Sequence, residues 1–207
     1  MTTQATTPIL HYFELGRLGR GEVLRLFLRD AEIKFEDIRY PYEGPWEAKT
    51  GALAKQGTTV TKQLPAFEYG GKILTQHIPT LRYLARDLGR YDGETSDEKF
   101  IVDAVADVYI DWRFQWVTQL DKVTDEYKNK FVIKYYDVLD HYYSQSNGPF
   151  LLGDKVTYAD FAVYQSIDND ERIKTLPEKL PASIEKFRKA FEARPNIAGY
   201  IRDNAAA

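Results

Sequence analysis

The chain has 207 residues, enough for one large domain or two small ones. Its 43% hydrophobic and 29% charged residues are typical of a soluble globular protein, and a net charge of −3 gives no reason to expect nucleic acid or an acidic membrane as a partner. The chain contains no cysteine, which excludes disulfides, thiolate metal ligands and a cysteine nucleophile.

The first residues and the hydropathy of the chain predict neither a leader nor a membrane span. Residues 1–7 lack a basic region followed by an apolar core, so we interpret them as an unstructured lead-in rather than a signal peptide. No apolar run reaches the roughly 20 residues that a membrane helix needs. A cytoplasmic location is therefore expected. His11, His77 and His141 lack metal-ligand spacing, and no metal site is predicted.

Residues 8–22 predict a strand, a glycine-rich turn and the start of a helix. Residues 9–13 are rich in strand formers, and the apolar residues of 23–28 follow a helical face. Tyr12 would lie at the carboxyl end of the strand, where open α/β sheets bind ligands and free N–H groups favour an anion. Its phenol could donate a hydrogen bond to a thiolate, or Tyr12 could simply pack as one of 15 tyrosines.

The next segment completes a strand–helix–strand unit and is followed by a stretch without a clear helix or strand pattern. Residues 33–38 alternate apolar and polar side chains and predict a half-buried strand, parallel to the first. Residues 39–62 contain several prolines and glycines and are interpreted as loop. Trp46 and Lys49 in this loop could flank an anionic ligand, or they could be an anchor for a lid and a solvated charge.

A hairpin and a helix follow. Residues 63–74 predict two strands joined by a Gly-Gly turn. Pro65 opens the first of these strands, which leaves the backbone of Leu64 able to pair with an extended peptide-like ligand. A helix begins near Gln76, because Pro79 fits only in a first turn. The order βαβ then ββα predicts a four-stranded mixed sheet like that of thioredoxin.

The rest of the chain is predicted to be all-helical. A polar linker at residues 87–96 would separate a thioredoxin-like domain, 1–86, from a helical domain, 97–207. The predicted helical stripes run over residues 101–120, 127–142 and 184–191, and the last of them is stopped by Pro195. Thr95 with Glu98, and Thr157 with Asp160, predict two capping boxes, of which we assign the second to folding.

Several short motifs, in this order and spacing, resemble those of the cytosolic glutathione transferases. They are Tyr12-Phe13, Arg20-Gly21-Glu22, Gln63-Leu64-Pro65, and Gln76 ahead of an apolar helix. The resemblance is to the tyrosine-type classes (sigma, mu, alpha and pi) and is closest to sigma. No single motif is specific to the family, but the ordered set is.

The resemblance implies an enzyme that uses glutathione as co-substrate, with no metal, and conjugates it to hydrophobic electrophiles. A free thiol has a pKa of about 8.5, and lowering it by roughly 2 units needs about 2.7 kcal/mol. One charge-assisted hydrogen bond, worth about 1.5–3 kcal/mol, has the right size. In the family a tyrosine hydroxyl supplies it, and Tyr12 matches that tyrosine. A homodimer is also implied.

The resemblance assigns further residues by position. Arg20 would support Tyr12, and Asp103 would reach the glutathione of a partner subunit. The implied glutathione contacts within the subunit are Trp46, Lys49 and Gln63 at the glycyl end, the Leu64 backbone and a cis Pro65 at the cysteinyl part, and Gln76 with His77 at the γ-glutamyl carboxylate. The implied acceptor site comprises Phe13, Tyr109, Trp112 and Arg113, whereas Trp116 is interpreted as core.

Two departures from the family pattern leave alternatives open. The segment from Tyr12 to Glu22 is about two residues longer than in sigma enzymes, so Arg17 could replace Arg20. His77 stands where the family has serine, so it could act by side chain or by backbone alone. The alternative functions are a sigma-like isomerase of the prostaglandin D synthase type and a non-catalytic, crystallin-like or ligand-binding relative.

Overall fold

The computed structural model describes residues 7–204, so the predicted lead-in lies outside the described residues except for Thr7. The described chain divides into two units. The first unit comprises residues 7–84 and 195–204, and the second comprises residues 85–194. The carboxyl-terminal segment thus groups with the first unit, although the sequence analysis placed it in the helical domain.

The secondary structure alternates strands and helices at first and is then entirely helical. In chain order the elements are β1 (Ile9–Phe13), α1 (Arg20–Asp30), β2 (Glu36–Tyr40), α2 (Trp46–Lys55), β3 (Ala66–Tyr69), β4 (Lys72–Thr75), α3 (His77–Leu88), α4 (Ser96–Val117), a π-helical turn (Tyr127–Phe131), α5 (Val132–Tyr143), α6 (Tyr158–Arg172), α7 (Ala182–Glu192) and α8 (Pro195–Asp203). None of the helices described here is both long and apolar enough to span a membrane.

The four strands form one mixed sheet in the order β2-β1-β3-β4. Strand β1 pairs in parallel with β2 and antiparallel with β3, and β3 pairs antiparallel with β4. This is the predicted thioredoxin-like arrangement, followed by helices only, and the predicted fold class is confirmed. The sheet places the carboxyl end of β1, with Tyr12 and Phe13, beside the start of α1.

Two predictions for the first unit were wrong in their details. Residues 39–62 are not all loop, because Trp46–Lys55 forms α2. Only Thr50 and Leu53 of this helix are buried, so its apolar pattern is too sparse to indicate a helix. The second strand begins at Glu36 rather than at residue 33, since the Ile33 N–H donates to the Leu28 carbonyl and so completes the end of α1.

The helical unit contains both predicted capping boxes. Thr95 and Glu98 begin α4, and Thr157 and Asp160 begin α6. Pro195 does more than stop a helix: α7 already ends at Glu192, and Pro195 is the first residue of α8, a position that proline tolerates because its missing N–H would have no helical partner there.

A buried carboxylate organises the core of the helical unit. Asp170 on α6 accepts hydrogen bonds from Trp112 Nε1 at 3.0 Å and from the hydroxyls of Tyr127, Tyr136 and Thr175 at 2.9, 3.0 and 2.8 Å. Burial raises the pKa of Asp170 to about 6, against the opposing effect of these donors. The carboxylate therefore joins α4, the π-helical turn and α5 to α6.

Candidate active site

Tyr12 is the most chemically distinctive residue at the carboxyl end of β1. Its side chain is only 5% exposed, and its hydroxyl oxygen accepts a hydrogen bond of 3.0 Å from the backbone N–H of Arg20, the first residue of α1. The phenol oxygen is thus held at a helix amino terminus, where unpaired N–H groups favour negative charge. Because the oxygen accepts from a backbone donor, the hydroxyl proton can be directed to another acceptor.

Two glycines, Gly19 just before α1 and Gly21 as its second residue, make room for the Tyr12 ring. A Cβ on Gly19 would lie 2.3 Å from the Tyr12 hydroxyl oxygen, and one on Gly21 would lie 2.4 Å from the ring atoms Cδ1 and Cγ. Gly19 also has a φ of 83°, in the left-handed region that glycine tolerates without strain. The turn can therefore approach Tyr12 this closely only because neither residue has a side chain.

We expect Gly21→Ala to lower kcat/KM by about tenfold or more, because the new methyl must displace the Tyr12 ring and a small misplacement of a reacting group is costly. Overpacking should also lower the free energy of unfolding by about 1–3 kcal/mol. The matched control is Gly51→Ala in α2, where a Cβ meets nothing within 4 Å. Steady-state kinetics and thermal melts of both variants check this, and equal activities for the two variants would contradict the close-packing account.

A narrow crevice collects six of the predicted glutathione-site residues. It is lined by Arg20, Gln63, Leu64, Pro65, Gln76 and His77. Arg20 links the crevice to Tyr12, since it is one of the lining residues and its backbone N–H contacts the phenol. Residues from three separate segments of the sequence therefore meet beside the proposed hydroxyl donor.

The far wall of the crevice is shaped by unusual backbone. The Leu64–Pro65 peptide bond is cis, and β3 begins only at Ala66. Gln76, which precedes α3, has a φ of 65°, uncommon for a residue other than glycine. Its side-chain amide donates to the Gln63 Oε1 at 2.8 Å. A residue other than glycine held at a positive φ, as Gln76 is, often belongs to a functional site.

The structure separates the two arginines that the sequence left as alternatives. Arg17 is 3% exposed, and its Nη1 donates to the carbonyl oxygen of Ile201 in α8 at 3.2 Å. Its Nε lies 3.8 Å from the Glu22 carboxylate. Arg17 thus joins α8 to the turn before α1, whereas Arg20 faces the crevice. The backbone of Arg20 contacts Tyr12, and a supporting role for its side chain stays a prediction.

Trp46 and Lys49 are not among the lining residues of the crevice. Trp46 is 38% exposed at the first position of α2, and the Lys49 Nζ donates to the Pro41 carbonyl oxygen at 2.8 Å. Helix α2 reaches the site by another residue, Leu53, which belongs to the same apolar cluster as Tyr12 and Phe13. Phe13 is therefore buried within this unit, and its contact with an acceptor stays a prediction.

The sequence analysis missed a second arginine near Tyr12. The guanidinium carbon of Arg25 lies 5.8 Å from the centre of the Tyr12 ring. Its Nε donates to both carboxylate oxygens of Asp37 at 3.1 and 3.0 Å. Burial alone would raise the pKa of Asp37, but the hydrogen bond and charge of Arg25 hold it below its ordinary value. A charged residue within the apolar run of α1 was the available signal.

The predicted residues of the helical unit lie mainly in its core. Tyr109 and Trp112 are fully buried, and they donate to Gln165 Oε1 at 2.8 Å and to Asp170. Arg113 is 7% exposed, with its guanidinium carbon 4.7 Å from the centre of the Trp116 ring. A role for Tyr109, Trp112 and Arg113 at an acceptor site stays a prediction.

Asp103, the residue predicted to reach across a dimer, has a partner within its own unit. The hydroxyl of Tyr158, the first residue of α6, donates to the Asp103 carboxylate. Its predicted contact with glutathione of a second subunit stays a prediction. Among the described residues, no group of three or more histidine, aspartate or glutamate side chains is placed to hold a metal ion.

The fold and the Tyr12 site define a protein with a thioredoxin-like unit followed by an all-helical unit. A family model described as "Glutathione S-transferase, C-terminal domain" matches residues 110–204. A solved Pi-class glutathione S-transferase of Onchocerca volvulus has a TM-score of 0.83, with coverage of 97% of this chain and 95% of that one; at 24% identity it shows the fold alone.

Curated relatives match nearly the whole chain. "Glutathione S-transferase Mu 1" of Oryctolagus cuniculus is 30% identical over 198 residues, which are 90% of this chain and 87% of that protein. "Glutathione S-transferase P 10" of Caenorhabditis elegans is 29% identical over 205 residues, with coverage of 96% and 92%. The chain therefore belongs to the glutathione S-transferase family of enzymes. The class names of these relatives, Mu and P, support membership of the family but do not identify the class of this chain as sigma.

Proposed function

We propose that this enzyme binds glutathione beside Tyr12, stabilises its thiolate by a hydrogen bond from the Tyr12 hydroxyl, and transfers it to hydrophobic electrophiles. The observation that carries the proposal is the position of the phenol oxygen, which accepts the Arg20 N–H at the amino terminus of α1. The chain has no cysteine, so the reacting sulfur must come from a ligand.

The hydroxyl of Tyr12 acts as a donor in this mechanism. A tyrosine hydroxyl carries one proton, which it can donate in a hydrogen bond to an anionic sulfur. The hydrogen bond from Arg20 withdraws electron density from the oxygen and so strengthens the outgoing hydrogen bond. The thiol proton passes to solvent, and the thiolate then attacks an electrophilic carbon and displaces a leaving group such as chloride.

The crevice supplies the remaining contacts. Leu64 precedes the cis proline and lies outside β3, so its backbone can pair with the cysteinyl part of an extended tripeptide. Gln76 and the start of α3 can bind the γ-glutamyl carboxylate, since a helix amino terminus offers N–H groups to an anion. His77 is 2% exposed, which favours a contact by its backbone.

We expect Gln76→Glu to raise the KM for glutathione by about tenfold or more, because the new carboxylate would face the γ-glutamyl carboxylate at close range. The value of kcat should change little, since Tyr12 keeps its surroundings. Gln115→Glu introduces the same charge at an exposed position of α4 and serves as the control. An unchanged KM for glutathione in Gln76→Glu would contradict the proposal that the γ-glutamyl carboxylate binds at this end of the crevice.

Calorimetry with glutathione and a conjugation assay with a chlorodinitrobenzene acceptor test the function as a whole. Heat of binding together with turnover supports a transferase, whereas the absence of both would favour the non-catalytic, crystallin-like alternative. A glutathione mass balance separates conjugation from the isomerase alternative, because an isomerase consumes no glutathione. We further propose a homodimer in the cytoplasm, and sedimentation analysis tests the assembly.

A further inference from the structure

A pocket of about 390 Å³ lies within the first unit, at the carboxyl end of α1. Its wall is formed by the last turn of α1, the loop that leads to β2, β2 itself and the start of α8. None of the residues that line it was assigned to glutathione, to an acceptor or to a metal by the sequence analysis. The volume lies within the range of about 300–1,000 Å³ that is typical of small-molecule sites.

Arg29, in the last turn of α1, brings a positive charge to the wall of this pocket. Its Nε is buried and has no hydrogen-bond acceptor among the described residues. The guanidinium carbon lies 4.2 Å from the centre of the Tyr200 ring and 5.7 Å from that of the Phe35 ring. Contact with aromatic rings attracts the cation but does not replace a hydrogen-bond acceptor. A buried N–H of a charged group without an acceptor costs free energy, which an anion in the pocket would offset.

Two carboxylates line the same pocket. That of Asp37 is engaged by two arginines, Arg25 through Nε at 3.0 Å and Arg39 through Nη2 at 2.9 Å. Glu32 is exposed to water, where its charge is screened, and the exposed Lys34 adds a second positive charge to the wall. This arrangement favours a ligand with one negative charge over a dianion, because the second charge of a dianion would face both carboxylates.

The carboxyl end of α1 is capped, although helix ends of this polarity usually disfavour an anion. Each of its last four carbonyl groups accepts a hydrogen bond. Backbone N–H groups of residues 31–33 satisfy three of them, at 2.9–3.0 Å, and the Asn196 side chain donates to the fourth, the Asp30 carbonyl, at 2.9 Å. These bonds cover the negative end of the helix and hold the wall in place without a ligand, which lowers the entropic cost of binding.

We propose that this pocket binds a small organic carboxylate with an attached apolar group. A carboxylate carries a single charge and matches the planar, forked arrangement of N–H groups on a guanidinium. Ile33 and Phe35 also line the pocket, so the apolar part of the ligand can lie against apolar residues. Inorganic phosphate lacks that part. The site does not depend on Tyr12 or on the proposed transferase reaction.

Titration of the nitrogen-15-labelled full chain with sodium benzoate, followed by NMR, tests this site. We expect saturable shifts with a Kd between about 0.1 mM and 10 mM, as suits so small a ligand. The Nε–H signal of Arg29 should be among those that shift, and Arg29→Lys identifies that signal by its absence. Benzamide, a neutral analogue of the same shape, should bind about tenfold more weakly or worse, and so should inorganic phosphate.

Two substitutions in the pocket should change the affinity in opposite directions. Arg29→Met removes the charge but keeps much of the length of the side chain, and should weaken benzoate binding by about tenfold or more. Glu32→Gln removes the opposing charge and should tighten binding by about two- to threefold. Because Glu32 is exposed and takes no part in the contacts with Tyr200 and Phe35, this second variant keeps the test decisive if Arg29→Met fails to fold.

Arg202→Met is the matched control, since Arg202 is an exposed arginine of α8 that does not line the pocket. It should change the Kd for benzoate by less than about twofold. The proposal is overturned if benzoate gives no saturable shift, if benzamide or phosphate binds as tightly as benzoate, or if Glu32→Gln fails to tighten binding. An affinity of folded Arg29→Met equal to that of wild type, or of Arg202→Met, overturns it as well.

Discussion

Replacement of Tyr12 by phenylalanine should lower kcat/KM for conjugation by about 100-fold, the loss typical when one donor to a developing or stabilised anion is removed. The change deletes the hydroxyl and leaves the ring between Gly19 and Gly21. The pKa of the bound glutathione thiol should rise by about 2 units, because the thiolate loses roughly 2.7 kcal/mol of stabilisation. The thiolate absorbance of the binary complex as a function of pH measures that pKa directly.

Tyr83→Phe is the matched control for this experiment. Tyr83 lies in α3 of the same unit, and its hydroxyl accepts from the Lys72 Nζ at 2.8 Å, but it does not line the crevice. Its variant should keep the thiol pKa and the rate of wild type. If Tyr12→Phe binds glutathione with an unchanged thiol pKa, then another group activates the sulfur, even though the fold is as described.

The largest expected loss of stability follows from Asp160→Ala. The Asp160 carboxylate is fully buried and accepts from the Thr157 N–H at 2.6 Å, the Tyr143 hydroxyl at 2.8 Å and the Leu151 N–H at 3.1 Å. Alanine would leave these donors buried without an acceptor, each at a cost of about 1–3 kcal/mol. Burial raises the pKa of Asp160, and the removal of this desolvated group offsets part of the loss.

We therefore expect the free energy of unfolding to fall by about 3–4 kcal/mol in Asp160→Ala, as measured by urea denaturation. The other capping box provides the comparison. Glu98 accepts from the Thr95 N–H at 3.1 Å in a solvent-exposed setting, where water can replace the lost acceptor. Glu98→Ala should thus be much less destabilising, and similar losses for the two variants would show that burial is not what makes the second box important.

The sequence predicted those features whose signals are local. A few neighbouring positions are enough to recognise each of these features. They are Tyr12 at a strand end, the capping residues Thr157 and Asp160, and the proline before β3. Their structural placement follows from secondary-structure rules that need no knowledge of the partner elements. The ordered spacing of these motifs was sufficient to indicate the family and its two-part architecture.

Features that depend on tertiary contacts could not be predicted in this way. Helix α2 buries just two side chains. The sequence therefore shows no helical period of apolar residues in this segment, which also contains prolines and glycines. The pairing of Arg25 with Asp37 joins residues from different elements, and only the fold brings that guanidinium to the Tyr12 ring. Tyr109 and Trp112 lie on one helical stripe of the sequence, but only the fold shows that their polar atoms donate to Gln165 and Asp170 of α6.

The return of α8 to the first unit has a consequence for biosynthesis. Arg17 binds the Ile201 carbonyl, the Tyr200 hydroxyl donates to the buried Glu22 carboxylate at 3.0 Å, and Asn196 donates to the Asp30 carbonyl at 2.9 Å. A nascent chain emerging from the ribosome therefore carries an incomplete first unit, with Arg17 and Glu22 awaiting these contacts, while the whole helical unit is being translated. The two halves of this protein cannot mature strictly one after the other, because the earlier half is completed by residues 195–204, which are made after the helical unit.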